Sequence, residues 1–332
     1  MLVDSIVGLI ILGIAILIGL STTKITLIIL GIAVFVILNA IGKKYYKKKY
    51  EEIKYGVKVD VNGLKMNVNI IGEKNSITLV MLPGLGMVSP VICYKPFVET
   101  LADKYRIITV EPFGYGLSDL TKEERNNKNY VSELHTCLQK LGVKKYYLMA
   151  HSIGGIYSLS YVNKYPEEVL GFIGLDNTPR NMPNKKDWKT ILMILIEKIA
   201  IILNELGLFR ISTKKSLTKI MLLDSSYNYS DEDKKNFDII FRHYFLNNNV
   251  LSESRNRIQI CEEVNSLNFP DNMPVIMFLA SKTCEFLPTW EQLHKDMKTS
   301  HPDSEIIILE GTHNINIDQK KAISDKLKTW IK

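Results

Sequence analysis

The chain has few cysteines, and no pattern makes use of them. Cys93, Cys137, Cys261 and Cys284 are scattered through 332 residues, with no C-x-x-C pair and no metal-ligand spacing. That leaves neither a disulfide framework nor a cysteine metal site, and free thiols suit a reducing compartment. No cofactor-binding pattern is visible either, so none is expected. A spread excess of positive charge is missing too. The formal net charge is +7, yet six lysines and two glutamates between Lys43 and Lys54 supply +4 of it. The remainder is nearly balanced, so this is a local basic patch and not the footprint of a nucleic-acid binder.

Charge is absent altogether from residues 5–20 and 25–42, two apolar runs separated by Ser21-Thr22-Thr23-Lys24. As helices each spans roughly 24–27 Å, against a bilayer core of about 30 Å. A cleaved signal peptide needs a basic start, and this chain opens Met1-Leu2-Val3-Asp4. The expectation is a two-helix membrane anchor over residues 1–42 and a basic juxtamembrane linker over 43–55. The lysines place the remainder of the chain in the cytoplasm by the positive-inside rule. Interleaved with Tyr45, Tyr46 and Tyr50, they also suit anionic lipid headgroups.

The stretch that organises the rest is Ala150-His151-Ser152-Ile153-Gly154-Gly155, between a strand-like run at 144–149 and a helical one at 156–162. A serine among small residues at a strand-to-helix turn is the nucleophile elbow, G-x-S-x-G. Its tight turn leaves no room for bulk two residues either side of the serine, and Ala150 and Gly154 meet that need. The N–H of Ile153 then points back at a reacting carbonyl.

Around it strands and helices alternate. Val57–Val61 and Leu64–Ile71 form a hairpin through Asn62-Gly63. Strands at Ile77–Leu82, Arg106–Val110, Val169–Leu175, Val275–Ala280 and Ile306–Leu309, with a helix at Thr121–Leu141, argue for a mostly parallel, doubly wound sheet. Between about 180 and 269 the alternation stops. Helical stretches at Lys186–Leu206, Leu217–Leu223, Asp231–Leu246 (capped by Ser230) and Ser252–Val264 read as a cap over an active site. The run Ile191–Ile196 with Ile199–Leu203 is more apolar than a one-faced cap helix needs, which suggests a position near the bilayer.

The chemistry-bearing residues fall in the order Ser, acid, His. His313, after Gly311-Thr312, comes just past the last strand; His135, His243, His294 and His301 fit less well. Leu85, after Pro83-Gly84, sits where a second oxyanion donor comes from the loop after the third strand. The acid expected is Asp176, at the end of Val169–Leu175, with Glu285 as the alternative.

From about residue 56 to 332 the chain resembles the α/β-hydrolase superfamily. The resemblance rests on Pro83–Gly86, the Phe113-Gly114-Tyr115-Gly116-Leu117-Ser118-Asp119 loop, the elbow and Gly311-Thr312-His313. Within it the chain looks like a membrane-anchored Firmicute branch whose elbow reads H-S-I-x-G. This implies an α/β-hydrolase fold with a helical cap, a serine nucleophile and hydrolysis of an ester-like bond. Two departures stand out. Glu111 takes the place of a usual Asp, and Ala280-Ser281-Lys282-Thr283 stands where the acid normally comes after the seventh strand as G-x-x-D. The expected catalytic set is Ser152, His313 and Asp176, with Leu85 and Ile153 as oxyanion donors. The expected partners are a small ester or lipid substrate and the membrane. The rival readings are a prolyl-aminopeptidase-like peptidase and an inactive, membrane-tethered binding domain.

Overall fold

The computed structural model describes residues 11, 21–182, 195–196, 199–200, 202–204, 206–208 and 224–332. Its centre is one eight-stranded sheet. β1 (Val57–Val61) and β2 (Leu64–Ile71) form the expected hairpin. Asn62 and Gly63 both take positive φ, 55° and 85°, as a two-residue turn of this hand requires. The sheet continues with β3 (Thr78–Leu82), β4 (Arg106–Glu111), β5 (Tyr146–His151), β6 (Val169–Leu175), β7 (Val275–Ala280) and β8 (Glu305–Leu309). The spatial order is β1-β2-β4-β3-β5-β6-β7-β8. β2 meets β4 antiparallel, and every pair from β4 through β8 is parallel.

Parallel strands need both faces covered, and β3 and β7 are buried at every residue. One face packs under α3 (Asn127–Lys140) and α4 (Gly154–Lys164), through Tyr130, Leu134, Ile156 and Leu159. The other packs under α2 (Pro90–Val98) and the C-terminal helices, through Phe97, Leu101, Ile323 and Leu327. The parallel strands all end at one edge of the sheet. The loops after β3, β5, β6 and β8, which carry Leu85, Ser152, Asp176 and His313, are gathered there.

Two cap helices differ from expectation only at their ends. α5 (Asp231–Tyr244) starts at the reciprocal capping box of Ser230 and Asp233. α6 (Asn248–Glu262) begins four residues earlier than expected, because the Asn247 side chain accepts from the amides of Asn249 and Val250. α3 starts at Asn127, not Thr121, capped by Asn126. The helices expected at 186–206 and 217–223 lie largely outside the described residues. The chain closes with α7 (Ser281–Phe286), α8 (Trp290–Lys295), α9 (Ile315–Asp318) and α10 (Lys320–Trp330).

The N-terminal expectation needs correcting. α1 runs unbroken from Thr22 to Glu51, through the second apolar run and on through the lysines. No proline interrupts it, and Lys47–Glu51 and Lys49–Glu52 ion pairs support its last turns. The expected linker therefore shrinks to the few residues after Glu51. α1 is long and apolar enough to cross a membrane. The first apolar run, apart from Ile11, lies outside the described residues, so the hairpin form of the anchor is not seen.

Candidate active site

β5 delivers Ser152 into a strained turn. Its φ is 53°, the left-handed region a non-glycine residue enters at a cost of about 1–3 kcal/mol. The neighbours explain why only small residues fit. A methyl at Gly154 would stand 2.9 Å from the Pro83 carbonyl oxygen, and one at Gly155 would stand 2.7 Å from Asn177 Cβ. Ala150 is tolerated, because its Cβ would lie 3.4 Å from such a methyl at Gly154, an ordinary contact. The turn is closed by the Ser152 carbonyl, which accepts from Gly155 N at 3.0 Å and Thr178 N at 2.8 Å.

The loop after β3 lies against this turn, since a methyl at Gly84 would come within 3.0 Å of Ser152 Cβ. Two tyrosines hold it. The Gly84 amide donates to Tyr94 Oη at 3.3 Å, and the Gly86 amide to Tyr115 Oη at 3.0 Å. Tyr115 in turn donates to Glu253 Oε2 at 2.7 Å, and Tyr157 of α4 donates to Glu253 Oε1 at 2.9 Å. One buried carboxylate from the cap thus ties the loop to the helix beyond the elbow. Its burial pushes the Glu253 carboxyl up, partly offset by the two hydroxyls. Between the clamped amides lies the Leu85 N–H. Among the described residues neither it nor the Ile153 N–H has an acceptor. Two such donors at one turn are what an oxyanion requires.

Asp176 accepts four hydrogen bonds. It is fully buried, with φ 44°, just past β6. Its Oδ2 accepts from His313 Nδ1 at 2.7 Å and from Thr283 Oγ1 at 2.6 Å. Its Oδ1 accepts from Trp290 Nε1 at 2.8 Å and the Ala280 amide at 3.0 Å. Burial alone would raise its pKa. His313 and the other donors outweigh that and hold the carboxyl below its ordinary value. Glu285 is exposed on α7 and has no contact with His313 among the described residues. Thr283 occupies the fourth position of the G-x-x-D slot, and its hydroxyl there donates to the Asp176 carboxylate.

His313 presents its ring to solvent, 44% exposed, while its partner is not exposed at all. It lines an open pocket of about 360 Å³ together with Ser152, Gly84, Leu85, Met87 and Val88. Ile153, just before α4, is buried and does not itself line that pocket. His151 forms part of it as well, and donates Nε2–H to the His313 carbonyl at 2.9 Å. Burial, and secondarily the His313 charge, push the His151 imidazole down to about 3, so it stays neutral. Glu111 supports the neighbouring loop. It accepts from Leu117 N at 2.8 Å, Ser89 Oγ at 2.9 Å and Tyr55 Oη at 3.0 Å. The longer acid fits because Gly116 has no side chain; a methyl there would fall on its carboxyl.

A hydroxyl at a strained turn, a histidine oriented by a buried carboxylate and two unengaged amides recur in hydrolases on this fold. The family described as the alpha/beta hydrolase fold matches residues 77–197. The chain has the α/β-hydrolase fold. An uncharacterized Bacillus subtilis protein, YbdG, is 24% identical over 277 residues, covering 81% of this chain and 83% of that one. A pimeloyl-[acyl-carrier protein] methyl ester esterase of Legionella pneumophila is 28% identical over 123 residues, 37% of this chain and 47% of the esterase. The chain thus matches under half the length of that named relative. Among solved structures, a mutant epoxide hydrolase of Vigna radiata aligns over 85% of this chain and 99% of its own, with TM-score 0.63 and 18% identity. That likeness speaks to the fold alone.

Sequence reasoning about this site missed the contacts of Thr283, Trp290, Tyr94, Tyr115 and Glu253. Only Thr283 carried a signal, its place in the G-x-x-D slot. The others reach the site across long separations that no local pattern marks.

Proposed function

We propose that the protein is a membrane-anchored serine hydrolase that cleaves a carboxylic ester, with Ser152 as nucleophile, His313 as base and Asp176 as the orienting acid. The observation that carries the reading is the 2.7 Å hydrogen bond from His313 Nδ1 to a buried Asp176, with His313 and Ser152 lining one pocket. The bond leaves Nε2 of His313 as the basic nitrogen. It takes the Ser152 proton as Oγ attacks the carbonyl, and the Leu85 and Ile153 amides receive the oxyanion. The proton then passes to the leaving alcohol, and water releases the acyl group from Ser152 by the same steps. A serine at the elbow argues against the aspartate-nucleophile chemistry of dehalogenases and epoxide hydrolases. The inactive-domain reading drew its support from the empty acid slot after β7, and the Asp176 contact removes that support.

Anchoring is inferred from α1 and its lysines. The helix crosses the bilayer with the lysines, and the hydrolase domain after them, on the cytoplasmic side. Turnover of an ester panel by the full chain, set beside proline amides and repeated with Ser152→Ala, tests the chemistry. Ester hydrolysis lost in the variant is the expected result. Hydrolysis retained by Ser152→Ala, or cleavage of proline amides alone, overturns it. Protease added to intact cells should spare the hydrolase domain, and digestion from outside would refute the topology.

A further inference from the structure

α1 enters the hydrolase domain as a rigid strut. Beyond the lysines it is fastened by Tyr50, which stacks on Tyr244 with ring centroids 5.1 Å apart and donates to the Gly116 carbonyl at 2.9 Å. One turn earlier, Arg242 of α5 lies 5.6 Å from the Tyr46 ring. A third attachment falls on the other side of the lysines. Asn39 is the one buried residue of α1, 2% exposed, and it lies within the apolar run. It is covered by Gly207 of the cap: a methyl at Gly207 would stand 2.0 Å from Asn39 Oδ1, and the φ of 75° at Gly207 suits glycine.

The depth is set by helix geometry. Asn39 precedes Lys43 by four residues, so it lies about 6 Å to the apolar side of the first lysine. If the lysines mark the headgroups, Gly207 is below them. The cap residues nearest it in sequence are dressed for that position. Leu195, Ile196, Ile199, Ile202 and Leu208 are all exposed, and 195, 199 and 202 recur at helical spacing. Asn204 donates to the Phe245 carbonyl at 3.0 Å, which ties this segment to the end of α5. On α1 itself Leu27, Leu30, Val34, Leu38 and Ile41 are exposed.

From this we infer that the exposed cap residues Leu195, Ile196, Ile199, Ile202 and Leu208 are seated in the cytoplasmic leaflet of the bilayer that α1 crosses, their apolar side chains among the lipid acyl chains. The inference rests on the reading of α1 as a membrane anchor. The occupant is lipid because the exposed cap face is continuous, through Asn39 and Gly207, with the lipid-facing stretch of α1, and because lysines rim it on the headgroup side. The cap becomes a second, monotopic attachment. It fixes the pocket at the membrane surface, where esters dissolved in the leaflet are concentrated.

The test uses the full chain with Cys261→Ser and Cys284→Ser, and a single environment-sensitive fluorophore placed through Ile202→Cys or Leu208→Cys. Leu30→Cys serves as the reference within α1. Leu170→Cys, exposed at the start of β6 and so at the opposite end of the sheet from the site, serves as the aqueous reference. The protein is reconstituted in phosphatidylcholine–phosphatidylglycerol vesicles with nitroxide near the top of the acyl chains. Labels at 202 and 208 should lose most of their emission to the nitroxide and resist iodide, as at 30, while the label at 170 does the reverse. Labels at 202 and 208 quenched by iodide and not by nitroxide overturn the inference. So does protection from both quenchers, which would make the face a contact between copies of the chain. A label at 30 that nitroxide leaves bright brings down the anchor reading as well, which separates the two failures.

Discussion

The two sides of the pocket are built by different means. On the side of the proposed nucleophile, Ser152 is placed by backbone and by the absence of atoms: a positive φ, and glycines at 84, 154 and 155 where any side chain would collide. On the acid side, Asp176 is placed by polar bonds from β7, α7, α8 and the loop after β8. Steric construction leaves most of its mark within the six residues 150–155, with Gly84 the distant member. Polar construction draws donors from more than a hundred residues away and leaves almost none. The steric side tolerates no added volume, whereas the acid side can be dismantled one hydrogen bond at a time.

The largest effect should come from the acid itself. Asp176→Asn leaves the shape but not the charge, and loss of an orienting acid costs about 10⁴ in kcat. Glu285→Gln, at an exposed position, should stay within about threefold of the parent, well inside the effect of a lost surface contact. Measuring kcat for both variants side by side decides between the two carboxylates, and the reverse order would move the acid to α7. Next comes Thr283→Val, which removes one donor from the buried carboxylate without changing its volume much. A hydrogen bond to a charged group is worth about 1.5–3 kcal/mol, so kcat should fall about ten- to a hundredfold. A loss confined to KM would show that Thr283 serves the substrate and not the acid. On the other side, Tyr115→Phe unfastens the Gly86 amide from Glu253. Here kcat should drop about five- to tenfold with KM little changed, the signature of an oxyanion donor slightly misplaced.

The remaining effect, outside the chemistry, is on stability against pH. His151 is held neutral far below the usual imidazole range, so the unfolded chain binds a proton that the folded one refuses. The resulting stability is present above pH ~6.5 and is lost as pH falls from there towards 3, by at most about 1.4 kcal/mol per pH unit. His151→Asn should flatten the fall of Tm between pH ~6.5 and ~4.5. An unchanged slope would mean that His151 titrates normally in the folded protein.

The same division governs how far the site was legible. Val57–Val61, Leu64–Ile71, Val169–Leu175 and Val275–Ala280 were readable to the residue, because alternation or an apolar run ended at asparagine, glycine, aspartate or serine. The elbow was readable because its constraint is steric and local. The position of Asp176 at a strand end was readable as well, while its donors Thr283 and Trp290 were not. Nor was the continuity of α1 through the lysines visible, since a charge run reads as a break in hydropathy although lysine continues a helix well and tyrosine costs it little. The strut formed by Glu253, Tyr115 and Gly86 joins three segments that share no periodicity.

The central claim, that Ser152 is the nucleophile activated by His313 and Asp176, is tested most directly by covalent labelling. The full chain is treated with an alkyl fluorophosphonate and mapped by peptide mass spectrometry, alongside His313→Ala and Asp176→Asn. One adduct per chain is expected, on Ser152, formed at least about a hundredfold more slowly in either variant. Ester turnover by a chain whose Ser152 stays unlabelled, or an adduct on another residue that abolishes turnover, would contradict it.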